Sequence, residues 1–177
     1  LTDSERYEIE GQVNGLSLVG ALVTGDAHVY VSRSIVGLDE ASDGVFEHDS
    51  AALTGIEITA STVFLNAAGL DVATVDVDSL AIATIADNET AEYSHYAMVG
   101  SGIDASLSFG TVLSGTLAAG SLRYNGVVEP AEYLDWTAAV DVDGDDGADT
   151  VMVGTTAIDL TDSERYEIEG QVNGLSL

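Results

Sequence analysis

Apolar and polar positions alternate along most of this chain. Leu70, Val72, Val75 and Val77 alternate with Asp71, Thr74, Asp76 and Asp78, with one slip at Ala73-Thr74. The stretches His28 to Ser34, Ser106 to Phe109 and Ser121 to Tyr124 repeat the pattern. A period of two marks strands with one buried face. β-Branched residues are frequent, while the strong helix formers Lys and Gln are nearly absent. The expected fold is therefore all-β. The expected inward set is Val29, Val31, Ile56, Ile58, Val75, Val77, Leu107, Phe109 and Leu122.

Glycines punctuate these strands at short intervals, as at Gly100, Gly102, Gly110, Gly115, Gly120 and Gly126. Such spacing marks turns, bends or close backbone approach. Asn14-Gly15 and Asn125-Gly126 read as tight-turn dipeptides. A Gly-aliphatic-acid pattern recurs at Gly37-Leu38-Asp39, Gly55-Ile56-Glu57, Gly69-Leu70-Asp71 and Gly102-Ile103-Asp104. Three stretches break the alternation: Leu38 to Ala52, Ala86 to His95, and Val128 to Trp136. They read as loops, the last with a short helical turn. It holds the chain's only Pro, Pro130, and its only Trp, Trp136, which reads as a packing anchor. Two architectures suit similar, Gly-punctuated strands: a β-solenoid or open β-groove, and a β-sandwich.

The two ends of the chain share one sequence. Leu1 to Leu18 recurs without a change as Leu160 to Leu177, an offset of 159 residues. A period of this kind predicts a tandem array. Residues 1–159 are then one complete unit, and 160–177 begin the next. An engineered duplication is the plain alternative.

Charge narrows the function. There are 31 acidic residues against four Arg, there is no Lys, and the net charge is −27. Removing the net −3 of the duplicated tail leaves −24 per unit. Nucleic acid and anionic membranes would repel such a surface. A hydrophobic content of 46% argues for a folded domain over a disordered acidic chain. Self-repulsion of this size calls for screening by salt or neutralisation by bound divalent cations. The expected setting is extracellular or the cell surface, with an acidic protein of a halophile's cytoplasm as the competitor. No Cys is present, so no disulfide contributes.

The stretch Gly102-Ile103-Asp104-Ala105-Ser106-Leu107 through Gly120-Ser121-Leu122, and then Leu134-Asp135-Trp136-Thr137-Ala138-Ala139-Val140-Asp141, resembles the very large tandem-repeat surface and filament proteins of bacteria. Gly55 to Val63 shares the pattern. The resemblance implies a structural or adhesive role at the cell surface, and it supplies no catalytic residues.

Candidate chemistry concentrates in Asp141-Val142-Asp143-Gly144-Asp145-Asp146-Gly147-Ala148-Asp149. Alternate carboxylates on a Gly-containing loop can converge on one hard cation. Asp141, Asp143 and Asp145 match positions 1, 3 and 5 of a calcium loop. The match departs at Asp146, where Gly is required, and at Met152, where a bidentate Glu is required. The loop is therefore no EF-hand. The expected metal ligands are Asp141, Asp143, Asp145, Asp146 and Asp149, with calcium as the ion. A solvated acidic turn is the alternative reading. A second cluster, Asp39, Glu40, Asp43, Glu47, His48 and Asp49, is irregular and reads as a solvated loop.

Catalytic signatures are wanting. The three His do not converge, and no HExxH or G-x-S-x-G occurs. Gly100-Ser101-Gly102-Ile103-Asp104-Ala105 fits the dinucleotide fingerprint in letters only, because the residues after it alternate as a strand. Asn88-Glu89-Thr90 is a glycosylation sequon. The sequence therefore predicts no enzyme. It predicts the structural unit of an acidic fibre whose partners are copies of itself. An adhesin binding module and a separate subunit that assembles by strand donation are the alternatives.

Overall fold

The computed structural model describes residues 7–14, 17–18, 21–22, 26–39, 44–46, 48–65, 72–87, 94–109, 113–127 and 132–176. They are all-β, and no helix occurs among them. The strands are β1 (Tyr7–Asn14), β2 (Ser17–Leu18), β3 (Ala21–Leu22), β4 (Asp26–Leu38), β5 (His48–Leu65), β6 (Val72–Asp87), β7 (Ser94–Phe109), β8 (Leu113–Val127), β9 (Val140–Asp141), β10 (Met152–Val153), β11 (Thr156–Ala157) and β12 (Tyr166–Ser176).

One large sheet runs β1-β4-β5-β6-β7-β8-β12, and each neighbouring pair is antiparallel. The sheet is open, with β1 at one edge and β12 at the other. From β4 to β8 the chain is a meander, so no strand stacks parallel on its predecessor as the rungs of a coil would. β10 and β11 form a separate small hairpin.

The two faces of the sheet differ. One carries large apolar side chains in rows that cross every strand. Ile9, Val31, Ile56, Ile82, Met98, Tyr124 and Tyr166 are successive register partners, and so are Gly11, Val29, Ile58, Leu80, Gly100, Leu122 and Ile168. Inner members of both rows are half-buried, apart from the buried Gly100. This open face holds Val29, Val31, Ile56, Ile58 and Leu122, five of the residues expected to point inward. Val77 is likewise half-buried, and the side chains of Val75, Leu107 and Phe109 lie outside the described residues.

The packed core lies on the opposite face. Leu53, Ala81, Ala83, Ile85 and Ala97 are buried against Leu134, Trp136, Val151, Val153, Ile158 and Leu160. The segment from Glu132 to Thr161 thus forms a cap over the sheet. Small sheet residues make room for it. A Cβ on Gly55 would stand 3.0 Å from both methyl groups of Val153 and 2.8 Å from Ser32 Oγ. Alternation identifies two faces; the small residues decide which one the cap covers.

Two buried polar side chains of the sheet fasten the cap. Buried Asn125 donates from Nδ2 to the carbonyls of Leu134 (2.8 Å) and Thr161 (2.9 Å), and its Oδ1 accepts from Trp136 Nε1 at 3.1 Å. Buried Glu57 accepts from the Thr155 amide and from the hydroxyls of Thr155, Thr156 and Ser79. Gly154, at φ +57°, leaves space for that carboxylate; a Cβ there would clash with Glu57 Oε2. Burial raises the pKa of Glu57, but these hydrogen bonds outweigh it and leave the carboxyl below its usual 4.5.

Trp136 is fully buried, and one helical turn that no helix continues lies beside it, with Ala138 N and Ala139 N on Asp135 O. Two expectations need correction. Asn125-Gly126 lies inside β8, because Asn125 is a cap anchor. The strands also reach into two supposed loops: β5 begins at His48, β6 extends to Asp87 and β7 begins at Ser94. Pro130, the sequon Asn88-Glu89-Thr90 and Gly69-Leu70-Asp71 lie outside the described residues.

Candidate metal centre

The acidic loop leaves the sheet at β9, whose two residues pair with the end of β4: Val140 with Leu38 and Asp141 with Gly37. This pairing buries Asp141 to 3% exposure. The loop closes where the Asp149 amide donates to the Val140 carbonyl at 2.7 Å. Gly144 and Asp146 turn the chain with φ of +81° and +64°. Gly supplies such a conformation without strain, and Asp tolerates it better than most residues.

The loop orders its own carboxylates. Asp141 accepts the Gly144 amide on Oδ1 (2.7 Å) and the Asp146 amide on Oδ2 (3.0 Å). Asp149 Oδ2 accepts the amides of Val142 (2.9 Å) and Asp143 (3.2 Å). One carboxylate oxygen from each of Asp141, Asp143 and Asp149 then lies within 4.8 Å of the others. Asp145 and Asp146 do not join this group. Asp145 Oδ1 instead accepts the Gly147 amide at 2.9 Å, and both residues are exposed. The neighbouring carboxylates of Asp145 and Asp149 raise the pKa of Asp143 above its ordinary value.

An all-oxygen set of three converging carboxylates has the donor chemistry of a hard divalent cation. Asp149 Oδ2 already accepts two N–H groups, so its Oδ1, with the lone pairs that Asp141 and Asp143 do not give to amides, remains available to an ion. Three of the five expected ligands are thus brought together. Asp141 is the one fixed by the sheet, and Asp149 closes the loop.

In the second acidic cluster only Asp39 can be placed by its side chain. It is buried, and its Oδ2 accepts the Gly44 amide at 2.7 Å. Glu40, Asp43 and Glu47 lie outside the described residues, as do the side chains of His48 and Asp49. The fingerprint-like Gly100 to Ala105 lies within β7.

Sequence reasoning missed Asn125 and Glu57, which hold the cap. Alternation assigns each to the polar side of its strand, opposite Ile56, Ile58 and Leu122, so the sequence carried no signal that they are buried.

No family model matches the chain, and neither the curated proteins nor the solved structures give a match.

Proposed function

We propose that the chain is a structural unit of an acidic extracellular fibre, built from tandem copies and stabilised by calcium. One observation carries this reading: Tyr7–Asn14 and its identical copy, residues 166–173, lie in the two opposite edge strands of one open sheet. A sheet that begins and ends on the same strand has the geometry of a repeating element. An interface between opposite edges is head-to-tail, and where its rotation does not close into a ring it generates a filament. The role of the chain in this reading is mechanical, and no reaction is assigned to it.

The acidic loop supports the calcium part of the reading. Asp141, Asp143 and Asp149 would hold the ion, binding the end of the cap to β4. Neutralising three carboxylates there offsets part of the repulsion within a unit of net charge −24. The extracellular setting follows from that need for calcium.

Mass under denaturing conditions tests the reading. A covalent array runs far above the 18.2 kDa of this chain. A subunit that assembles by strand donation runs at its own mass but forms filaments when native. A native chain of 18.2 kDa that stays monomeric at high calcium contradicts both forms.

A further inference from the structure

We infer that the sheet passes unbroken from one unit to the next: a single copy of the repeated strand is hydrogen-bonded to β8 of its own unit on one side and to β4 of the following unit on the other. This rests on the array reading above. The partner is the next copy of this chain, and the surface it occupies is the outer edge of β12.

Strand direction is the first requirement. Six successive antiparallel pairings separate β1 from β12, so the two edge strands run the same way. One strand can therefore stand in for both.

Hydrogen-bond polarity is the second. In an antiparallel ladder, the N–H and C=O of a residue point to the same side, and successive residues alternate sides. The Asn125 amide donates to the Arg165 carbonyl at 3.0 Å. Arg165, Glu167 and Glu169 therefore face β8, and Tyr166 and Ile168 face outward. The same alternation can be followed across the sheet through the register pairs Tyr124–Met98, Ala97–Ala83, Ile82–Ile56, Gly55–Ser32 and Val31–Ile9. It ends with Tyr7 and Ile9 facing β4, and Glu8 and Glu10 facing away from it. Tyr7 and Ile9 are the counterparts of Tyr166 and Ile168. The backbone groups that β1 uses on β4 are those that β12 turns outward. The two copies use complementary halves of one strand.

Face and stagger agree as well. Ile9 and Ile168 both project from the open face. The row that starts at Ile9 ends at Tyr166, the counterpart of Tyr7. Each unit thus advances the register by two residues, about 7 Å along the strand. An odd advance would have turned every side chain to the wrong face. The bulge opposite Gly170 puts its extra residue on β8, where Ala119 takes φ +51°, so the repeated strand itself keeps its alternation there.

Side-chain exposure marks the same junction. Ile9, Tyr166 and Ile168 are 62%, 73% and 64% exposed, although each belongs to an otherwise half-buried row. In a shared strand Ile168 lies between Leu122 and the next unit's Val31, and Tyr166 lies between Tyr124 and the next unit's Arg33. The row that ends at Ile168 then continues without a gap into the next unit's row at Val31.

Amide hydrogen exchange on a two-unit chain tests this; the chain is residues 1–177 followed by a second copy of 19–177. At the junction copy, the Tyr166 and Ile168 amides should exchange about 100-fold slower than in the terminal copy. The Glu167 and Glu169 amides, bonded to β8 in both copies, should exchange alike. Ile168→Pro at the junction removes an N–H that faces the next unit and should abolish the added protection. The same substitution in the terminal copy should leave melting unchanged. Equal exchange of Tyr166 and Ile168 in the two copies, or equal loss of melting temperature at the two sites, overturns the inference. The array reading survives that result if the native chain has high mass, as a string of separate sheets. It fails separately if the native chain is an 18.2 kDa monomer.

Discussion

On the capped face of the sheet the side chains are small where the cap lies closest; on the open face they are large. Gly55, Ala81, Ala83 and Ala97 let Trp136, Val151 and Val153 approach the backbone. Burial there is complete, and specificity comes from two polar anchors, Asn125 and Glu57. On the open face Val31, Ile56, Ile82 and Met98 pack mainly sideways, each against its partners in the adjacent strands. Such cross-strand pairs contribute roughly 0.2–1 kcal/mol each. Stability within a unit therefore comes from the cap, and the open face contributes lateral continuity. The rows lose that lateral packing at the two edges, and there the side chains are most exposed.

The largest effect should come from the cap. Trp136→Ala removes a fully buried indole and leaves Asn125 Oδ1 without its donor, at a cost of about 3–5 kcal/mol in chemical denaturation. Ile56→Ala on the open face should cost about 1–2 kcal/mol, below the range for fully buried sites. Equal losses would erase the distinction between the faces.

In the proposed reading, calcium would act on the end of the cap. An ion that binds only the folded chain stabilises it by about 2.7 kcal/mol at a hundred times its dissociation constant. Calcium at fixed ionic strength should therefore raise Tm, and chelation should reverse it. Asp143→Asn and Asp149→Asn should weaken the response, whereas Asp145→Asn, outside the converging group, should retain it. In the absence of the ion, the raised pKa of Asp143 reflects repulsion that is relieved as pH falls through that value. Melting that ignores calcium and climbs steeply with sodium chloride would point to screening alone.

Glu57 gives a pH signature on the capped face. Its carboxyl titrates below the usual 4.5 in the folded chain. Its contribution to stability is full above that value and is lost as pH falls through the lower folded value. Glu57→Ala should cost about 1–3 kcal/mol near neutral pH, because it removes the acceptor of the Thr155 amide and of the hydroxyls of Thr155, Thr156 and Ser79. The deficit should shrink below pH 4.5. A deficit independent of pH would assign Glu57 a packing role only. The smallest effect belongs to the edge: Tyr166→Ser in the 177-residue chain should change stability by no more than about 0.5 kcal/mol.

The alternation at residues 28–34 and 121–124 made the strands legible; the duplicated segment marked two equivalent strands, but not that they are the two edges of one sheet. The choice of buried face was not legible. Val31 and Ile56 are the more hydrophobic residues, yet the cap selects Gly55 and Ala83 because it needs close approach. Asn125-Gly126 carried turn chemistry, and tertiary hydrogen bonds to Trp136 and Leu134 overrode it. In the acidic loop, spacing identified the carboxylates but not their directions. These depend on backbone hydrogen bonds, which aim Asp141 and Asp149 at a common point and draw Asp145 toward Gly147.

Fibre diffraction from the native material tests the central claim most directly. Seven strands lie on the sheet path, and one is shared, so each unit adds six. At about 4.8 Å per strand the unit advances about 29 Å along the fibre. The account expects an axial reflection near 4.8 Å together with an axial repeat near 29 Å. A fibre that lacks the 4.8 Å axial reflection, or whose unit spacing bears no relation to six strands, would contradict it.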